Sequence, residues 1–129
     1  MTVATLGFVS PLPPVRSGIA DYSADLLAAF RDEVDLVTYA PAEARHAYSA
    51  GHRAVLLQVG NDPLHLPSVE ALRGNAGRVP SILVLHDFSL PHLFAAAYLD
   101  VGRVDEYAAE LERAHGARGR ALGERARAG

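Results

Sequence analysis

The chain of 129 residues contains no cysteine. That excludes a disulfide framework, a thiolate nucleophile and a zinc site built on sulfur. Long apolar runs are missing too: no stretch approaches the ~20 apolar residues of a membrane span. The first residues show neither a basic segment nor a long apolar one, so no signal peptide is expected. There is no excess of positive charge, the formal net charge being −3. An electrostatic footprint for nucleic acid or an anionic membrane is therefore not expected. Three phosphate or nucleophile signatures are also missing. The loop after the first apolar run holds prolines instead of GxGxxG, and the chain has neither a Walker GK[ST] nor a GxSxG elbow. Six histidines are present. Yet the pairs His86/His92 and His46/His52 have the wrong spacing to put two ligands on one helix face, and HExxH does not occur, so no metal site is expected.

What remains is ordinary for a globular domain: 50% hydrophobic and 21% charged residues. The length suits one domain. Residues 3–9 form a short apolar run and read as a first strand. Pro11, Pro13 and Pro14 follow in a loop that neither a helix nor a central strand accommodates. Ile19, Tyr22, Leu26, Leu27 and Phe30 then lay one stripe along a helix over residues 19–31, with Ser17 as N-cap. Residues 34–39 are a second strand, and residues 42–49 a short helix. Ala54–Val59 is a third strand, ending in the turn formers Gly60-Asn61-Asp62-Pro63. Residues 65–73 make another short helix.

Ser81–Leu85 reads as a buried fourth strand that stops abruptly at His86-Asp87. Residues 89–98 are a short helix or turn. The tail, Val104–Ala128, reads as one amphipathic helix weakened by Gly116, Gly119 and Gly123, each by about 1 kcal/mol, with its last third expected to fray unless something packs on it.

Strands alternating with helices predict an α/β, Rossmann-like parallel sheet with helices on both faces. The simplest strand order is 3-2-1-4. It makes the first and fourth strands neighbours, so that Gly18 and His86 converge at one crevice beyond the carboxyl ends of the strands.

Three segments, SPLPPVRSGIADYSADLL, LLQVGNDPLH and VLHDFSLPHLF, occur here in the order in which similar segments occur in another group of proteins. The chain resembles the N-terminal domain of GT-B glycosyltransferases, above all the retaining enzymes often called family 4, over residues 2–121. The resemblance implies sugar transfer, of hexosyltransferase type, from a nucleotide-sugar donor to an acceptor hydroxyl with retention. The acceptor would be a sugar, a lipid-linked sugar or another hydroxyl compound. It implies a cytoplasmic enzyme with no cofactor and no nucleic-acid partner, and leaves room for peripheral membrane association of the full protein. No counterpart of the donor-binding C-terminal domain is found. The 129 residues thus read as a partial acceptor-side domain, inactive alone.

By the same resemblance, His86 and Asp87 are the catalytic candidates. His86 would hydrogen-bond a sugar hydroxyl, and Asp87 would orient His86 or accept from a hydroxyl. Arg16, Ser17 and Gly18 would meet the donor diphosphate, while Asn61, His65 and His92 would line the acceptor side. Each has a plainer alternative: a strand-end cap for His86, a turn for Asp87, a solvated loop for Arg16, and a helix start for Ser17, Gly18 and His92. Turn and capping chemistry would account for Asn61 and His65. Two other classes stay open, a non-catalytic Rossmann-like assembly module using the unpaired sheet edge and a flavodoxin-like nucleotide-binding domain.

Overall fold

A computed structural model describes residues 4–75 and 77–129. The chain divides into two compact units, one ending at Ser89 and the other running from Leu90 to Gly129.

The first unit is an all-parallel sheet of four strands with helices: β1 (Leu6–Val9), α1 (Gly18–Phe30), β2 (Leu36–Tyr39), α2 (Ala44–Ser49), β3 (Ala54–Val59), α3 (Leu66–Gly74) and β4 (Ser81–Leu85). Short 3₁₀ turns, Pro41–Glu43 and Pro63–His65, precede α2 and α3. The α/β, Rossmann-like class expected from the alternation is therefore the one observed. β1 begins later than expected within the described residues; residue 3 lies outside them. β2 starts at Leu36 because Glu33 and Val34 still donate their N–H groups to the Phe30 carbonyl, closing the end of α1. Ser17 caps α1 as its position predicts, its Oγ accepting the Ala20 N–H at 3.0 Å.

The strand order is corrected. It is β2-β1-β3-β4, not 3-2-1-4, so β3 separates β1 from β4. Right-handed crossovers allow either edge of β1 to receive β3. What distinguishes them here is the passage of the β2–β3 connection over β1. Gly7 makes room for it: a Cβ there would stand 2.9 Å from His52 Cδ2 and 3.5 Å from Ala47 Cβ. His52 fastens the crossing, with Nδ1 2.7 Å from Thr5 Oγ1 and Nε2 2.8 Å from the Tyr39 hydroxyl. The winding direction thus reverses between β1 and β3, and the crevice of an open α/β sheet moves there with it.

Side chains alternate across the sheet. Gly7 faces α2, and the Ser81 hydroxyl, on the same side, lies 2.8 Å from the Tyr48 hydroxyl of that helix. Ser10 and His86 face α1, meeting Ser23 and Tyr22. The core holds Phe8, Val9, Val55, Leu57 and Val59, all essentially without solvent exposure. Burying one such side chain contributes roughly 1.5–3 kcal/mol. β4 is not the buried strand its composition suggests. It is the outer strand among those described, and Ile82 and Leu85 are each 52% exposed.

The second unit holds α4 (Pro91–Phe94), a π-helical turn Ala95–Leu99 and α5 (Val104–Ala128). The single amphipathic helix expected of the tail is corrected. Gly116, at φ 60° and ψ −134°, breaks α5 into two arms that fold back on each other. The backbone there takes a conformation that favours glycine. Gly119 and Gly123 are the buried points of closest approach: a Cβ at Gly123 would stand 2.7 Å from Ala108 Cβ, and one at Gly119 would fall on the Leu111 carbonyl. The second arm packs on the first, which is the condition under which the tail is not expected to fray, and Arg127 Nε reaches Asp105 Oδ1 at 2.8 Å across it.

Candidate functional site

At the carboxyl ends of β1, β3 and β4, three loops line one pocket of about 410 Å³. Loop residues 16–19 come from the β1–α1 connection, 61–65 (save Pro63) from the β3–α3 connection, and 86–87 from the end of β4. Arg16, Ser17, Gly18, Asn61, His65, His86 and Asp87 are therefore brought together, although β1 and β4 are not paired. β3 stands between them, which puts Asn61 and His65 nearer the centre of the crevice than the expected order allowed. His92 lies on α4, in the other compact unit, and is not among the residues lining this pocket. It sits in the first turn of that helix, in agreement with its plainer reading.

His86 is half-buried and held from two sides. Its Nε2 lies 2.6 Å from Gln58 Oε1, and the Tyr22 ring meets the imidazole edge-on at 4.9 Å and 76°. With an amide oxygen as partner, Nε2 carries the proton, and Nδ1 keeps the lone pair in the neutral ring. The backbone contributes as well: the His86 N–H donates to the Val59 carbonyl, continuing the β3–β4 ladder to the pocket floor.

Asp87 ties two loops together. Its Oδ2 accepts the backbone N–H of Asn61 at 2.7 Å. The neighbouring Asp62 caps its own turn, Oδ1 accepting the Leu64 N–H at 2.8 Å. Beneath both, Gly60 is the tight glycine of the site. A Cβ there would stand 2.5 Å from Ile19 Cδ1 and 3.0 Å from Asp87 Oδ2. Gly18, by contrast, has open space where a Cβ would point. Its lack of a side chain answers no packing demand within the protein.

His65 is buried, and burial pushes its pKa below the ordinary 6.5. The Asp62 carboxylate, a hydrogen bond to the Gln58 backbone and the Asp87 carboxylate pull the other way, while His86 adds to the lowering. Nδ1 of His65, Nε2 of Gln58 and Oγ of Ser68 are buried without a protein partner. The pocket is thus walled by a neutral imidazole, a second imidazole with a fixed tautomer, two carboxylates and a helix N-terminus. Such a wall suits hydrogen bonding to hydroxyls, since imidazole can donate and accept while carboxylate accepts.

Three contributors escape a reading by sequence. Gln58 is the one polar residue in Ala54–Val59, and it opens the QVGNDPLH part of the second resembling segment, but neither signal assigns it the support of His86. Tyr22 falls on the apolar stripe of α1 and reads as core, but it is 47% exposed and serves His86. Gly60 hides among turn formers. Among the described residues no group of three or more His, Asp or Glu could hold a metal ion. No helix among them is long and apolar enough to cross a membrane. Comparison of the chain with known protein families, with curated proteins and with solved structures finds no match.

Proposed function

We propose that this chain supplies the acceptor-side wall of a retaining glycosyltransferase of the hexosyltransferase type. One observation carries the reading: three loops from adjacent strand ends converge on one pocket whose central imidazole is fixed by Gln58 and Tyr22. The sequence segments that resemble GT-B enzymes are the ones that form those loops. In this reading His86 and Asp87 hydrogen-bond sugar hydroxyls. The Ser17-capped start of α1, with Arg16 beside it, faces the donor diphosphate, since free N–H groups at a helix start favour anions. The chemistry is mainly positioning of two substrates and stabilisation of a leaving diphosphate. It uses a nucleotide-sugar as substrate, needs no cofactor and goes with a cytoplasmic location. In this reading the 129 residues supply the acceptor side alone and are expected to turn over no substrate by themselves.

The test is calorimetric titration of the chain with a panel of methyl hexosides and nucleoside diphosphate sugars, with flavin mononucleotide as contrast. Weak hexoside binding that His86→Ala abolishes is the expected result. Tight flavin binding without hexoside binding would replace this reading with a flavodoxin-like one. A non-catalytic assembly module is the second reading, and the bare apolar edge at Ile82 and Leu85 favours it. Stable self-association without any sugar binding would support it.

A further inference from the structure

A second and larger groove, of about 550 Å³, lies at the carboxyl ends of β1 and β2. Pro11, Leu12, Val15, Ala40, Pro41 and Leu64 supply its apolar wall. It adjoins the pocket just described. The β1–α1 loop contributes residues 10–12 and 15 to the groove and residues 16–19 to the pocket, and Leu64 lines both.

The two cavities differ in chemistry. The polar groups bordering the groove are largely turned to partners within the protein. Ser10 Oγ lies 2.7 Å from Ser23 Oγ, within reach of the Pro11 carbonyl as well. Tyr39 Oη is engaged by His52, and Glu43 Oε2 accepts the Ala40 N–H at 3.0 Å. Of the four polar side chains at the groove, only that of Thr38 is outside these bonds. With the Ser10 hydroxyl, the Tyr39 phenol and one Glu43 oxygen engaged and the rest of the wall apolar, the groove offers fewer free polar groups than the pocket beside it. Its prolines stiffen one wall, so little order has to be imposed when a ligand enters. Its volume falls within the usual range for small-molecule sites.

We infer that this groove takes an uncharged apolar substituent, alkyl or aryl, carried by the same acceptor whose sugar hydroxyls occupy the His86 pocket. The inference rests on the sugar-binding reading of that pocket and adds the acceptor class: a glycoside or alcohol with an apolar tail, not a free hydrophilic sugar. Leu64 and the β1–α1 loop border both cavities, which makes them neighbours, and the inference requires one molecule to reach both.

The test compares methyl β-D-glucopyranoside with n-octyl β-D-glucopyranoside, below its micelle concentration, by calorimetric titration of the full chain. The octyl compound is expected to bind at least about tenfold more tightly, which corresponds to about 1.4 kcal/mol or roughly two buried methylenes. Val15→Asp, at a side chain 47% exposed and outside the polar pocket, should remove that gain while leaving methyl glucoside binding unchanged. Ile82→Lys, on the bare sheet edge, should leave the gain intact.

Equal affinities for the two glycosides would overturn the inference while leaving the sugar reading standing. So would a gain that survives Val15→Asp or is lost in Ile82→Lys. Octyl glucoside binding that depends on Val15, with no methyl glucoside binding, would uphold the groove as an apolar site and count against the sugar reading. Absence of binding by both compounds would sink the two together.

Discussion

His86 Nε2 and Gln58 Oε1 are 2.6 Å apart, joining the end of the edge strand to a fully buried amide in the strand beside it. The bond gives the imidazole one orientation and one tautomer. Gln58→Leu removes it, and with it a buried Nε2 that has no protein partner. Loss of the bond and relief of the orphaned group oppose each other, so stability should change by no more than about 1 kcal/mol. The imidazole should nevertheless lose its fixed tautomer. Long-range nitrogen–proton spectra of His86 would then show a mixture of Nε2–H and Nδ1–H forms, and an unchanged spectrum would mean that Tyr22 alone holds the ring.

The two glycines of the site should respond in opposite ways. Gly60→Ala brings a methyl group against the Ile19 Cδ1 end and Asp87 Oδ2, which must shift to admit it, and is expected to cost up to about 1 kcal/mol in urea unfolding while disturbing the Asp87–Asn61 bond. Gly18→Ala meets no protein atom and restricts the unfolded chain, so stability should hold or rise by about 0.4–1 kcal/mol. If Gly18→Ala also impairs hexoside or diphosphate binding, the open space above Gly18 is where the ligand approaches.

Acid should weaken the fold through His65. Burial sets its folded pKa below the 6.5 that it keeps when unfolded. The unfolded chain therefore binds the proton more readily, and stability falls as pH drops below that value toward the lower folded one. Above the unfolded value the ring is neutral in both states and the effect vanishes. The urea midpoint should fall between about pH 7.5 and about pH 5.5, and His65→Gln should flatten that slope. A slope unaffected by the substitution would assign the pH dependence to other groups.

In the second unit, close backbone packing should outweigh charge. Gly119→Val forces a side chain onto the Leu111 carbonyl and is expected to open the helical hairpin, at a cost of about 1–3 kcal/mol and with a loss of helical circular dichroism. Asp105→Ala removes only an exposed pairing with Arg127 and should change stability by less than about 1 kcal/mol.

Local features of this fold are legible in the residues; the long-range ones are not. Ser17 announces a cap because its partner, the Ala20 N–H, lies three residues away. Ala54–Val59 and Ser81–Leu85 read as strands from composition alone. Strand order does not, because it turns on Gly7 admitting His52 and Ala47 over β1, a contact between distant segments. An apolar run such as Ser81–Leu85 is the same string whether it lies inside a sheet or at its edge. The triplet Gly116, Gly119 and Gly123 weakens a single helix, yet suits a tight hairpin, and only the packing distinguishes the two. His86 and Asp87 stand out where the apolar run of Ser81–Leu85 ends, whereas the role of Gln58, inside Ala54–Val59, depends on a contact with a residue 28 positions away.

The most direct measurement is an amide shift map of the nitrogen-15-labelled chain during titration with a methyl hexoside. Joint perturbation of Gly18, Asn61 and His86, saturating at one affinity and abolished by His86→Ala, is the result expected if three loops form one sugar pocket. Shifts confined to a single loop, or none near His86 at saturating sugar, would contradict it.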